Sequence, residues 1–232
     1  MGNLGVSAAD LLLGSSCPGC EQPALGLCRP CGISIRPDPR EAWPSPTPQV
    51  MKVPRPVRPV SGGVNAGALR ATLIAWKEQG RFGLAEPLAH LLAAAVAELV
   101  AGGEPVVLVP VPTSRRSKRA RGADVVDELA RLAARLLQTV GIDAVVEQAL
   151  TYSRSTVDQS GLDSTERAAN LHGAFQGRRG RPQRGRAVIV VDDILTTGAT
   201  VSEAVRALTA IGQRPFGAAF VAATPRRSEH SR

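Results

Sequence analysis

Side chains suited to chemistry concentrate in one string, Val188-Ile-Val-Val-Asp192-Asp193-Ile-Leu-Thr196-Thr197-Gly198-Ala199-Thr200. The apolar, β-branched run Ala187–Val191 predicts a strand. Val201, Val205, Leu208 and Ile211 recur at helical spacing after it, and Gly212 closes that helix. Backbone N–H groups at a helix N-terminus, with the positive end of the dipole behind them, form an anion site. Gly198 and Ala199 are small enough for a phosphate to approach, and Thr196, Thr197 and Thr200 add hydroxyl donors. Asp192 and Asp193 would repel a phosphate; they suit the vicinal hydroxyls of a sugar, or a metal beside it. Phosphate plus diol at fixed spacing describes a ribose 5-phosphate. The plainer alternative is an ordinary strand–helix turn with the Asp pair as solvent-exposed caps.

A second set of ligand-type residues is Cys17-x2-Cys20-x7-Cys28-x2-Cys31, which holds all four cysteines of the chain. A disulfide scaffold would spread its cysteines, whereas this crowding reads as metal chelation. Each Cys-x2-Cys turn points two thiolates at one metal, and four thiolates complete a tetrahedral, closed, structural zinc site. Pro18, Gly19, Pro30 and Gly32 suit the tight turns. A module this small depends on its metal to fold.

The elements that must position these groups follow from periodicity. Residues 1–36 form the cysteine module with a short lead, and residues 37–62 carry eight prolines. Such a run removes donors and fixes φ, so it predicts a stiff, extended connector rather than a packed helix or central strand. Residues 63–226 form the main domain, and 227–232 a tail. Within it, two helices are expected over the Leu69/Leu73/Trp76 and Leu84–Leu99 stripes, then a buried strand at Val106–Val111. A helix with the face Val125, Val126, Leu129, Ala133, Leu136, Val140 follows, with Asp127 and Arg131 paired outside. Strands at Ala144–Leu150 and Phe216–Ala223 complete the set. Strands alternating with helices predict an α/β fold with a mainly parallel sheet flanked by helices, whose ligands bind off the carboxyl ends of the strands.

Bulk properties agree. The chain has 232 residues, 44% hydrophobic but only 3% aromatic, so its core must be built from Ala, Val and Leu. The net charge of +8 favours polyanionic partners, either phosphorylated metabolites or nucleic acid. Leu84–Ala101 is interrupted by Glu86, Pro87, His90 and Glu98 and falls short of the roughly 18 clean apolar residues of a membrane span. A cytoplasmic location is the expectation.

The string Val188–Thr200 resembles the 5-phosphoribosyl-pyrophosphate (PRPP) signature of type I phosphoribosyltransferases. Together with Cys17/Cys20/Cys28/Cys31, Trp76-Lys77 followed by Gly80-Arg81, Val109-Pro110-Val111-Pro112, Arg121-Gly122 and Gln159…Leu162…Glu166-Arg167, nearly the whole chain is similar to the ComF family. That family couples a four-cysteine zinc module to this domain. The resemblance implies that Asp192 and Asp193 hold the ribose hydroxyls and that Thr196, Thr197, Gly198, Ala199 and Thr200 cradle the 5-phosphate. It implies a pyrophosphate loop at Val109–Ser114, with Pro112, Thr113 and Ser114, helped by Arg119 and Arg121. One departure stands out: the family continues Arg-Gly with Phe-Asn-Gln, whereas Ala123-Asp124-Val125 follow here.

In that reading Mg²⁺ and the basic loop stabilise the departing pyrophosphate, the ribose is oriented by the two acids, and an incoming nitrogen attacks. Ser153–Asn170 would be a lid, with Arg154 and Arg167 reaching the pyrophosphate. His90 reads as a packing or helix-surface residue and His172 as structural. The acceptor is not legible; the resemblance implies that a variable hood outside the core sheet grips it, for which the zinc module and the Pro-rich connector are the candidates. The competing reading is an accessory protein of DNA uptake (competence) that binds nucleic acid or a DNA-processing protein. Arg178, Arg179, Arg181, Arg184 and Arg186 would supply a basic patch near the zinc module, although no aromatics interleave to stack bases.

Overall fold

The computed structural model describes residues 15–101, 103–113, 124–153, 171, 173–178 and 185–225. Short helix α1 (Arg29–Ser34) ends the cysteine module. Strand β1 (Arg40–Glu41), a 3₁₀ turn at Gln49–Met51 and β2 (Arg58–Ser61) come next. Helices α2 (Gly67–Glu78) and α3 (Ala85–Leu99) lead into β3 (Val106–Pro110), α4 (Val125–Thr139) and β4 (Ala144–Val146). The chain continues as β5 (Leu150–Tyr152), β6 (Phe175–Gly177), β7 (Ala187–Leu195), α5 (Ala199–Ala210) and β8 (Gly217–Ala223).

Six strands form one sheet in the order β1-β2-β8-β7-β3-β4, while β5 and β6 pair separately. Every neighbouring pair from β2 to β4 is parallel, and only the edge strand β1 runs antiparallel. The chain winds from β3 outward to β4, and from β7 outward to β8 on the other side. Right-handed crossovers then place α4 and α5 on opposite faces of the sheet, the doubly wound arrangement. The fold expectation therefore holds: a mainly parallel sheet flanked by helices, with a small cysteine module at the N-terminal end.

The core is aliphatic, as the composition demands. Val106, Leu108, Ile189, Val190, Val191, Ala218, Ala219 and Val221 fill the central strands, and Leu88, Leu92 and Val96 of α3 lie against them. Continuous apolar strands are what a sheet buried on both faces requires. Among the described residues, one segment, Phe82–Leu99, is long and apolar enough to cross a membrane. Here it is the helix packed on β2, β8 and α4.

Two expectations differ from the structure. The proline-rich stretch is folded into the domain: Met51, Val57 and Val60 are wholly buried, and β2 is an internal strand. Pro59 is tolerated there because a residue's N and O point to the same side of a strand. Its carbonyl accepts from Ala42 on the β1 side, so no bond toward β8 is lost. Arg214 also clasps the stretch, donating to the carbonyls of Val53 (2.7 Å) and Arg55 (2.6 Å). The run Ala144–Leu150 is not one strand but the ends of two. The chain turns at Glu147, whose N–H still bonds the Leu108 carbonyl, and Leu150 enters the β5–β6 pair.

Candidate sugar-phosphate site and thiol cluster

Strand β7 runs further than its apolar pattern predicts. Asp192 pairs with Phe220 and Ile194 with Ala222 of β8, so both acids belong to the strand's last turns of pleat. Both are buried, at 8% and 4% exposure, which removes the alternative of solvent-exposed caps. Each carboxylate is fixed by the next amide: Asp193 N–H donates to Asp192 Oδ1 and Ile194 N–H to Asp193 Oδ1, both at 2.8 Å. Lys77, in the last turn of α2, forms an ion pair with Asp193 Oδ2. Burial, followed by the charge of Asp193, pushes the Asp192 carboxyl well above the usual range, while the Lys77 charge opposes that.

The loop beyond is shaped as the sequence predicts. Thr196 and Thr197 are exposed, Ala199 and Thr200 half-buried. Gly198 is buried, with φ 79°, in the left-handed region that glycine adopts without strain. Its carbonyl accepts from Ser202 N–H (2.9 Å) and Ser202 Oγ (2.6 Å), which starts α5. Among the described residues the amides of Thr196, Thr197 and Gly198 donate to no backbone carbonyl. They are the donors an anion would meet.

Position in the sheet explains why these groups meet. The winding direction reverses between β3 and β7, and such a switch point is where sheets of this kind take their ligands. Pro110 is in register with Val191, and Val111 N–H donates to the Val191 carbonyl, so β3 ends level with the residue before the two acids. Thr113 Oγ1 donates to Asp124 Oδ1 at 2.8 Å, tying the two ends of the segment between them. Asp124 also caps α4 by accepting from Asp127 N–H. The acid at this departure from the family pattern thus serves as an N-cap, a task Asn and Asp share. Ser114, Arg119, Arg121, Arg154, Arg167 and His172 lie outside the described residues.

Two residues were not read as site residues from sequence. Lys77 is one. Tyr152 is the second; burial, and then the charges of Asp192 and Asp124, push its hydroxyl above the usual range. The proline-rich stretch walls a groove of about 930 Å³ running from Trp43 and Pro44 to Ser61, Thr196, Thr197 and Thr224. Trp43 Nε1 donates to Glu41, which also accepts from Arg58. No local periodicity announces such partners, because each reaches the loop through the tertiary fold. Of the basic cluster, Arg179, Arg181 and Arg184 lie outside the described residues. Arg186 lies at the amino ends of the strands, bonding Asp143 and the Val106 carbonyl, while α2 carries the cysteine module at the opposite end. The residue is spent on an intramolecular pair.

The four thiols converge: the Sγ atoms of Cys17, Cys20, Cys28 and Cys31 all lie within 4.8 Å of one another. Four soft donors at this mutual distance fit a tetrahedral thiophilic metal, whose sulfurs stand about 3.8 Å apart when each bond is about 2.3 Å. Gly19 allows the approach, since a Cβ there would meet Cys31 Sγ at 2.8 Å and Ala68 Cβ at 2.9 Å. Burial alone would raise the Cys17 thiol, but amides of Cys28, Gly19 and Cys20 bring it to about 6. Contact with Cys28, then burial, pushes Cys31 up to about 12.

A doubly wound parallel sheet with two buried acids and a glycine-threonine cup at its switch point defines a phosphoribosyltransferase-type fold. A family model described as "Phosphoribosyl transferase domain" matches residues 84–232. The chain is 30% identical over 190 residues to the DNA utilization protein YhgH of Escherichia coli (strain K12), covering 81% of this chain and 74% of that one. It is 29% identical over 143 residues to Competence protein F of Haemophilus influenzae, covering 59% of this chain and 60% of that one. The chain belongs to the phosphoribosyl transferase domain family, as a ComF-type member carrying an N-terminal four-cysteine cluster.

Proposed function

We propose that this protein binds PRPP with Mg²⁺ and transfers its phosphoribosyl group to an acceptor nitrogen, releasing pyrophosphate. The observation that carries the reading is the pair of buried, amide-fixed carboxylates immediately before a left-handed glycine and the start of α5. A buried acid pair is costly unless something repeatedly claims it, and sugar hydroxyls are suited to do so. Asp192 and Asp193 accept from the ribose diol; Thr196–Thr200 take the 5-phosphate; Pro112, Thr113 and Ser114, with Arg119 and Arg121, face the pyrophosphate. The bond from the anomeric carbon to pyrophosphate breaks as the acceptor bond forms, and the acceptor gives up its proton. Mg²⁺, when bound, would supply charge neutralisation on the leaving group. Arg154 and Arg167 are proposed to reach that group from the segment between β5 and β6. Zinc is the proposed metal of Cys17, Cys20, Cys28 and Cys31, with a structural role.

Calorimetric titration of PRPP with Mg²⁺ tests the reading. The Asp192→Asn/Asp193→Asn double variant should lose about 2–3 kcal/mol of binding, the worth of hydrogen bonds to charged groups. Equal affinity in wild type and double variant would sink it. A second reading rests on the relatives named for competence and DNA utilization: an accessory role in DNA uptake through nucleic acid or a DNA-processing protein. It requires DNA affinity that falls steeply with salt, and absence of any such binding removes the nucleic-acid form of it.

A further inference from the structure

The sugar-binding reading leaves one charged group unassigned: Lys77. It stands far from the cup in sequence, yet its ammonium meets Asp193 Oδ2 while the other oxygen, Oδ1, is held by Ile194 N–H. Its place is well determined. Leu69, Leu73 and Trp76 bury one face of α2, with Trp76 wholly enclosed. The helix ends where Gly80, at φ 69°, turns the chain back so that Arg81 N–H bonds the Ala75 carbonyl. That leaves Lys77 in the last turn, where the helix dipole favours a cation. Its side chain is 35% exposed and that of Asp193 5%, so the ammonium bridges solvent and the buried acid.

Resting on the proposed function, we infer that Lys77 is a positioning residue for the sugar grip. With Oδ1 tied to the main chain and Oδ2 to the ammonium, the Asp193 carboxylate cannot rotate. Each carboxylate oxygen has a second lone pair beyond the one so engaged, which a hydroxyl donor can use. Lys77 thus fixes an acceptor edge before the ligand arrives, and it balances negative charge that two adjacent buried acids would otherwise hold alone. Lys77 acts through Asp193 and touches no reacting atom.

The test is calorimetry of the full chain with ribose 5-phosphate and, separately, its 2-deoxy analogue. Lys77→Met should weaken ribose 5-phosphate about tenfold, as expected for loss of a charge-assisted contact, and the 2-deoxy analogue much less. Lys77→Arg should restore most of the difference. Equal weakening of both ligands, or full affinity in folded Lys77→Met, overturns the inference. If Lys77→Met does not fold, the comparison moves to Asp193→Asn against Lys77→Met/Asp193→Asn. Equal affinity in that pair supports action through Asp193, and a weaker double variant overturns it. Failure of the wild type to bind ribose 5-phosphate at all counts instead against the proposed function.

Discussion

Gly198 shows how tightly single residues are constrained at the cup. Its φ of 79° is unfavourable for a side chain, and a Cβ there would meet Pro44 Cγ at 2.8 Å. Gly198→Ala should therefore cost about 1–2 kcal/mol from the left-handed backbone alone, read by urea unfolding. Phosphate-ligand affinity should fall with it, since Pro44 or the loop must move. Asp124 makes the opposite case. Asp124→Asn keeps an acceptor for Thr113 and for Asp127 N–H, so its urea midpoint should be nearly unchanged. Asp124→Ala should lose about 1 kcal/mol of cap. The cup itself was legible because its chemistry is contiguous: strand, acids, threonines and glycine follow one another. Lys77 and Tyr152 were not, because only the folded sheet brings them to Asp193 and Asp192.

Helix α5 joins two parts of the molecule. It begins at the cup, and its flank carries Glu203, a buried acid that accepts from Phe175 N–H at 2.9 Å and pairs with Arg206. Arg206 in turn donates to the Phe175 carbonyl at 2.9 Å, so β6 is held to α5 through one clamp. Burial alone would raise the Glu203 carboxyl, but Arg206 and the Phe175 and Gly173 amides outweigh it and hold it below its ordinary 4.5. A carboxyl lowered in the folded state stabilises above that ordinary value and loses its contribution as pH falls through the folded one. Thermal melts should thus show an acid-dependent loss below about pH 4.5 that is smaller in Glu203→Gln; parallel pH profiles would refute this. Elements with a strong local period were legible from sequence, α3 and α4 among them. The exception was β2, because prolines argue against a strand until the neighbour on each side is known.

At the scale of the molecule, the cysteine module is docked rather than appended. Gly19 lies against Ala68 at the start of α2, Gly26 approaches Leu84, and Leu27 packs on the core. Helix α2 then runs from this contact to the Lys77–Asp193 pair. The module has few apolar groups of its own, and four thiols held together without a metal gain nothing that would keep it folded. The sheet is different: its central strands are enclosed by α3, α4 and α5 without help from the cysteines. Chelation should therefore release one metal per chain and expose the amides of Cys17–Ser34 to fast hydrogen exchange. Those of β3, β7 and β8 should keep their protection. Ribose 5-phosphate affinity should drop only as far as α2 loosens, which the exchange of Leu73–Lys77 amides reports in the same experiment. Loss of protection throughout the sheet on chelation would show instead that the module and the domain fold as one unit.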